Sequence, residues 1–168
     1  HVFDFKWFSP LVRKFVMFQN IKLGALKAIS VSSEERSVIP PSARFVMGGS
    51  GMPYGEMLRG YEQNSVGPDG YYNAGNIMLK YSLEFRLSLS ESPTIYALAF
   101  AEAGNVWEDF NSVDPFNLKR SAGMGVRLFM PMLGMLGYDM GYGFDNVGNF
   151  ENDGPRGWEH HLIFGMPF

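Results

Sequence analysis

One arginine of the chain lies in a setting that requires a partner. Arg59 belongs to the stretch Met57-Leu58-Arg59-Gly60-Tyr61, inside a long glycine-rich segment whose residues cannot hide a charged side chain. If the strands before and after this segment enclose a polar interior, Arg59 can reach into it and find a receiving group. A solvated loop arginine is the alternative that the local sequence leaves open.

Other motifs that could perform chemistry are weak. His160 and His161 are adjacent, and neighbouring residues of a strand point to opposite faces, which disfavours a metal site. The glycine-rich run 48–55 lacks the Gly-Lys-Ser/Thr ending of a phosphate-binding loop. In 145–154, Val147 occupies a ligand position of a calcium loop. No Ser-His-Asp or zinc pattern emerges, so we predict no enzyme activity, no metal and no cofactor.

The composition favours a chain that contacts an apolar environment. Only 18% of the 168 residues are charged, against about 25% in ordinary soluble domains. With 15 Phe and 8 Tyr, the chain exposes aromatic surface unless something apolar covers it. The net charge of -3 argues against a nucleic-acid partner, which would need clustered Lys and Arg. The absence of cysteine excludes disulfides and thiolate sites.

Alternation with a period of two predicts strands through most of the chain. The predicted strands are about 2–8, 14–27, 76–88, 94–107, 118–130, 133–145 and 158–168, with one long loop at 28–75. We expect the first strand to stop at Ser9-Pro10. For the second segment an amphipathic helix is the open alternative. In the third, the pattern places Glu84 on the polar face and Leu79 on the apolar face.

Strand and loop lengths together indicate a transmembrane barrel. Short proline-containing turns alternate with long loops, as when one set of connections faces each side of a membrane. Several predicted strands reach 11 to 14 residues, enough for a tilted crossing of about 9 to 11. We therefore predict an all-β fold, a transmembrane antiparallel β-barrel whose apolar strand faces, Leu79 included, contact lipid. Because bacterial single-chain barrels have an even number of strands, seven strands predict that others lie before His1 or in another chain.

The chain resembles a known family along nearly its whole length. Leu58-Arg59-Gly60-Tyr61 is similar to the Val-Arg-Gly-Phe/Tyr signature at the tip of the sixth extracellular loop in the BamA family of outer-membrane protein insertases. The other matching stretches are 48–50, 82–85, 100–107, 121–131 and 138–142. The sequence looks like the C-terminal half of that barrel, within a superfamily that also holds TamA and the two-partner-secretion transporters.

The resemblance implies both an architecture and a site. We expect about seven C-terminal strands of a 16-stranded barrel in the bacterial outer membrane, with its N-terminal strands and periplasmic domains outside this chain. The family places an acidic residue from each of two strands near the loop arginine, and those positions fall on Glu84 and Glu102. With Arg59, Gly60 and Tyr61 they form the predicted loop lock, which pins the loop inside the barrel.

The resemblance also implies that the last strand forms a lateral seam through which other barrel proteins are assembled. The predicted seam-strand residues are Trp158, Leu162, Phe164, Gly165 and Phe168. The implied partners are unfolded outer-membrane protein substrates, outer-membrane lipid, accessory lipoproteins and the rest of the same barrel. The alternative function is transport, through a two-partner-secretion-type or other outer-membrane pore of the superfamily.

Overall fold

The computed structural model describes residues 1–27, 39–68, 74–132, 134–147 and 157–165. These residues form one seven-stranded sheet in which each strand pairs with the next one along the chain, always antiparallel. The strands are β1 Val2–Val12, β2 Phe15–Ala25, β3 Ile77–Glu91, β4 Thr94–Trp107, β5 Lys119–Met130, β6 Gly134–Gly143 and β7 Trp158–Gly165. The predicted all-β antiparallel architecture is confirmed. Within the described ranges no helix is long and apolar enough to cross a membrane.

The two faces of the sheet differ because successive side chains point to opposite sides. We call the face covered by the loop of residues 39–68 the inner face, and the other the outer face. Along β6 and β7, Asp139 and His161 are buried on the inner face, whereas Tyr138 and Leu162 are exposed on the outer face. Polar groups therefore line the covered side, and large apolar groups line the uncovered side.

Strand β1 is longer than predicted. It continues through Pro10 to Val12, with an irregular register between these two residues, and the chain turns at Arg13, whose φ is 45°. The register shift marks a bulge at Pro10, and a bulge tolerates proline because the ladder is already interrupted there. The prediction that the strand stops at Ser9-Pro10 is wrong.

Strand β2 settles the choice between strand and helix. It pairs with β3 without a break, from Phe15 opposite Leu87 to Ala25 opposite Ile77. An amphipathic helix could not present its backbone groups to β3 in this way, so the helical alternative is wrong. Strand β3 itself runs to Glu91, three residues beyond the predicted end at 88.

The loop after β4 covers part of the outer face, where β3 begins and β4 ends. Leu79 is only 6% exposed, because the loop after β4 lies over it. Its apolar cluster contains Ile77, Trp107, Val113 and Leu118. The amide of Asn105 holds this loop by donating to the carbonyl of Asn117 at 2.8 Å. The expectation that Leu79 faces lipid is wrong for this reason.

The predicted long loop is folded along its described part. Residues 39–68 contain a 3-10 turn at Pro41–Ala43 and isolated bridges that pair Met47 with Val66 and Gly49 with Leu58. These apolar loop residues are fully buried and pack onto Met78 of β3 and Val106 of β4. The apolar contact fixes the loop against the inner face and brings its tip, residues 59–61, to the middle of the sheet.

Candidate functional site

The side chain of Arg59 is buried among three carboxylates. It is 1% exposed, and its Nη2 atom lies 2.7 Å from Glu84 Oε1 and 2.7 Å from Glu102 Oε1. Its Nη1 atom lies 3.1 Å from Asp139 Oδ2. We call Glu84, Glu102 and Asp139 the carboxylate triad. Strands β3, β4 and β6 contribute one member each, so the arginine connects the loop to three strands.

Glu102 is the member of the triad that also binds the loop backbone. It accepts hydrogen bonds from the Arg59 backbone N–H at 2.9 Å and from the Ser82 hydroxyl at 3.1 Å, in addition to the guanidinium bond. A buried carboxylate must be paired and hydrogen-bonded to offset its desolvation. Glu102 therefore binds both the side chain and the backbone of Arg59.

An aromatic ring completes the arginine pocket. The guanidinium carbon of Arg59 lies 3.7 Å from the centroid of the Phe100 ring. A planar guanidinium can donate from its edge to carboxylates while its face stacks on a ring, which an ammonium group cannot do. The pocket thus favours arginine over lysine by shape and donor geometry, since the two side chains carry the same charge.

Each member of the triad also contacts a second cation on the sheet. Arg86 Nη2 lies 2.7 Å from Glu84 Oε2, and Lys80 Nζ lies 3.6 Å from Glu102 Oε1. Arg127 donates to Asp139 through both its Nη1 and its Nη2 atoms. We call Lys80, Arg86 and Arg127 the strand cations. The three carboxylates are matched by the three strand cations. The charges that the strands contribute to this site therefore sum to zero without Arg59.

A further ion pair attaches the base of the tip. Glu56, three residues before Arg59, lies 2.5 Å from Lys22 Nζ on β2 and 3.6 Å from Lys80 Nζ on β3. The loop is therefore held ionically by β2 as well as by the strands that supply the triad.

The backbone of Gly60 packs directly against the backbone of β6. Its φ is 86°, a left-handed conformation that glycine adopts without steric cost. A Cβ atom on Gly143 would lie 2.5 Å from Gly60 O, and one on Gly141 would lie 2.7 Å from Gly60 N. The bare inner surface of β6 at these two glycines is what allows the tip to dock.

Tyr61 fastens the other side of the tip. Its hydroxyl donates to the carbonyl of Arg120 at 2.6 Å and accepts from the backbone N–H of Asp145 at 3.3 Å. Burial raises the pKa of Tyr61 to about 12. The Arg120 side chain, whose Nη2 lies 2.8 Å from Asp145 Oδ1, lowers the pKa of Asp145 by hydrogen bonding to its carboxylate.

The two adjacent histidines of β7 point to opposite faces. His161 is 7% exposed on the inner face, and its Nε2 atom accepts the Gly60 N–H at 2.9 Å. His160 is exposed on the outer face, where its Nδ1 atom lies 2.7 Å from the Tyr138 hydroxyl. The two rings cannot share one metal ion.

The predicted residues divide into two sets. The structure brings Arg59, Gly60, Tyr61, Glu84 and Glu102 together. It keeps Trp158, Leu162 and Phe164 apart from them, on the outer face of β7, where each is more than half exposed. Gly165 ends β7 opposite Met135. Phe168 lies outside the described residues.

Sequence reasoning missed two residues of the site, Asp139 and His161. Alternation along the predicted strands 133–145 and 158–168 places Asp139 and His161 on the polar faces, and that placement is the available signal. Asp139 stands between Gly137 and Gly141 on its face, so it is the one charge in a bare region of β6. Nothing in the local sequence gives the distance of either residue from the loop tip, which the sheet register determines.

An antiparallel sheet with one polar face, one exposed apolar face and a long loop docked on the polar side is typical of part of a membrane β-barrel. Residues 2–161 match the Omp85 superfamily domain, and the chain belongs to that superfamily. A comparison with curated proteins found no match.

Proposed function

We propose that this chain is the C-terminal part of an outer-membrane β-barrel that folds and inserts other β-barrel proteins through a lateral seam at β7. Membership of the Omp85 superfamily and the BamA-like motifs support this function. The observation that carries most weight is the Arg59 tip bound to carboxylates of three strands, because it makes the loop an internal brace of the barrel. No group of the site acts on a covalent bond in this proposal.

The outer face supports a location in the outer membrane. It exposes large apolar side chains along successive strands, as expected for a barrel wall that contacts lipid. The more exposed examples are Tyr81, Phe85, Met124, Val126, Tyr138, Leu162 and Phe164. Outer-membrane lipid is therefore a proposed partner, together with accessory lipoproteins and the rest of the same barrel.

Strand β7 supports the lateral seam. Its strand neighbour within the described ranges is β6 alone, so its other edge has no strand partner there. An exposed edge is a template on which an unfolded substrate strand can add by hydrogen bonding.

The charge pattern supports a lock that can be released. If Arg59 withdraws, the carboxylate triad still faces the three strand cations. Removal of the loop therefore leaves no isolated buried carboxylate, a situation that otherwise costs several kcal/mol. A brace that has to move during substrate insertion needs this property.

Transport through the barrel is the second candidate function. The polar inner face favours it, because a channel for unfolded protein or solutes needs a polar wall. The loop would then act as a plug. The two functions differ in the route of the substrate, which leaves sideways through the seam in one case and passes along the lumen in the other.

A cross-link across the seam distinguishes the two functions. The chain has no cysteine, so Leu162→Cys in β7 can be paired with a single cysteine in the first strand of the full-length protein. In lipid vesicles, oxidation should abolish insertion of an unfolded barrel substrate, and reduction should restore it. Insertion that continues undiminished in the cross-linked protein contradicts a lateral route. Translocation into the vesicle that continues in the oxidised protein, with no insertion activity in either redox state, would favour the pore.

A further inference from the structure

His161 connects the loop tip directly to the seam strand. The two bonded residues, Gly60 and His161, are 101 positions apart, and the bond from the Gly60 N–H to Nε2 measures 2.9 Å. The imidazole is 7% exposed, so water does not readily replace it as the acceptor. Among the described contacts of the tip this bond is the one that reaches β7, since the triad lies on β3, β4 and β6.

The bond requires one chemical form of the ring. An imidazole nitrogen that accepts an N–H bears no proton, so His161 is neutral and carries its hydrogen on Nδ1. The charged groups that act on the ring are Arg59 of the loop, Glu102 of β4, Asp139 of β6 and Glu159 of β7 itself. A second proton on Nε2 would face the Gly60 N–H donor to donor, and the bond would be lost.

We propose that His161 is a positioning residue that couples the docked loop tip to β7, and that loss or protonation of its imidazole uncouples them. Because the bond is shared, displacement of β7 loosens the tip, and withdrawal of the tip loosens β7 by the same factor. The consequence that release of the loop lock and opening of the seam occur together rests on the proposed function. The coupling itself does not.

Trypsin measures the position of the tip, because it cleaves after arginine and Arg59 is accessible only when the tip leaves the sheet. In the full-length protein in detergent, His161→Leu should raise the rate of cleavage after Arg59 about tenfold, since the buried Gly60 N–H loses its acceptor. His161→Gln retains an acceptor and should stay close to the wild-type rate. His160→Leu is the matched control on the outer face and should have no effect.

Hydrogen exchange supplies a second measurement that needs no variant. In the wild-type protein, exchange of the Gly60 amide, corrected for its intrinsic pH dependence, should accelerate between pH 7.5 and pH 5. This acceleration should be absent in His161→Gln. Reciprocity requires that Arg59→Gln, which loosens the tip, also accelerate exchange in peptides covering β7.

The outcomes separate the inference from the proposed function. Wild-type cleavage in His161→Leu, or equal acceleration in His160→Leu, would overturn the coupling. The coupling would also be overturned if the corrected exchange rate of the Gly60 amide were independent of pH. The same holds if Arg59→Gln left hydrogen exchange in β7 unchanged. None of these measurements uses an insertion assay, so a failure of the insertase proposal leaves them unchanged.

Discussion

The carboxylate of Glu102 accepts two hydrogen bonds from Arg59, at 2.9 Å from the backbone nitrogen and at 2.7 Å from Nη2. Glu102→Gln keeps the shape but removes the charge, leaving Arg59 and Lys80 undercompensated in a buried site. We expect the free energy of unfolding to fall by about 3 to 5 kcal/mol, the usual cost of breaking a buried ion pair. Thermal unfolding of the purified full-length protein in detergent measures it. Glu108→Gln, an equal charge change on an exposed side chain, should leave stability unchanged.

The docking of backbone on backbone at Gly60 predicts a steric effect. Gly143→Ala would place a methyl group 2.5 Å from Gly60 O and 2.8 Å from the Tyr61 ring, so the tip must shift outward. We expect a loss of about 1 to 3 kcal/mol, as for other overpacked sites, and faster trypsin cleavage after Arg59. Gly165→Ala is the control, because a Cβ atom there meets nothing within 4 Å. If both variants behave alike, close approach at Gly60 does not govern docking.

The raised pKa of Tyr61 predicts a loss of stability in alkali. The unfolded phenol ionises near pH 10, whereas burial keeps the folded phenol protonated until its pKa of about 12. The unfolded state therefore releases a proton first, and the contribution of Tyr61, complete below pH 10, declines as pH rises toward 12. Tyr61→Phe should remove this part of the pH dependence. At pH 8 it should cost about 0.5 to 1.5 kcal/mol, because the Arg120 carbonyl loses its donor.

Melting temperatures of the two proteins between pH 8 and pH 12 measure the effect. The difference between them, not the wild-type curve alone, reports Tyr61, because other groups titrate in the same range. A difference that stays constant across the interval would contradict the assigned role of the hydroxyl.

The outer face predicts sensitivity to charge at exposed positions. Met124 lies on the outer face of β5, 56% exposed, and no loop covers it in the described structure. If this face contacts lipid, Met124→Arg near the bilayer midplane should destabilise the barrel by about 2 to 4 kcal/mol. Phe116→Arg, at a loop residue that is 97% exposed, should be tolerated. Unfolding in lipid vesicles is the appropriate measurement, and a tolerated Met124→Arg would count against lipid contact. Leu79→Arg is a poor probe, because the loop after β4 already buries that residue.

Much of the sheet follows from the period of two. Alternation placed Glu84 on the face that receives the loop and Leu162 on the opposite face, because one residue of register reverses every side chain. The ends of strands were less predictable. Pro10 was interpreted as a stop, but the strand continues through it because the register shifts there and a bulge accommodates proline.

The site was only partly predictable. Glu84 and Glu102 came from the resemblance to a family, since no local pattern connects them to Arg59. Asp139 and His161 depend on where β6 and β7 fall in the sheet relative to a loop that is 80 to 101 residues away in sequence. Leu79 lies on the predicted apolar face, but its expected contact with lipid was wrong because a loop, whose fold has no periodic signal, covers it.

The spacing of the three ion pairs along the chain sets an order of events during the protein's own maturation. Arg59 precedes its acceptors by 25, 43 and 80 residues. Contacts of such sequence separation form late, and Asp139 is in place only when β6 has paired with β5. Complete docking of the tip, with all three ion pairs formed, therefore comes after β6 has paired, so the loop closes over a sheet that is already assembled from β3 to β6.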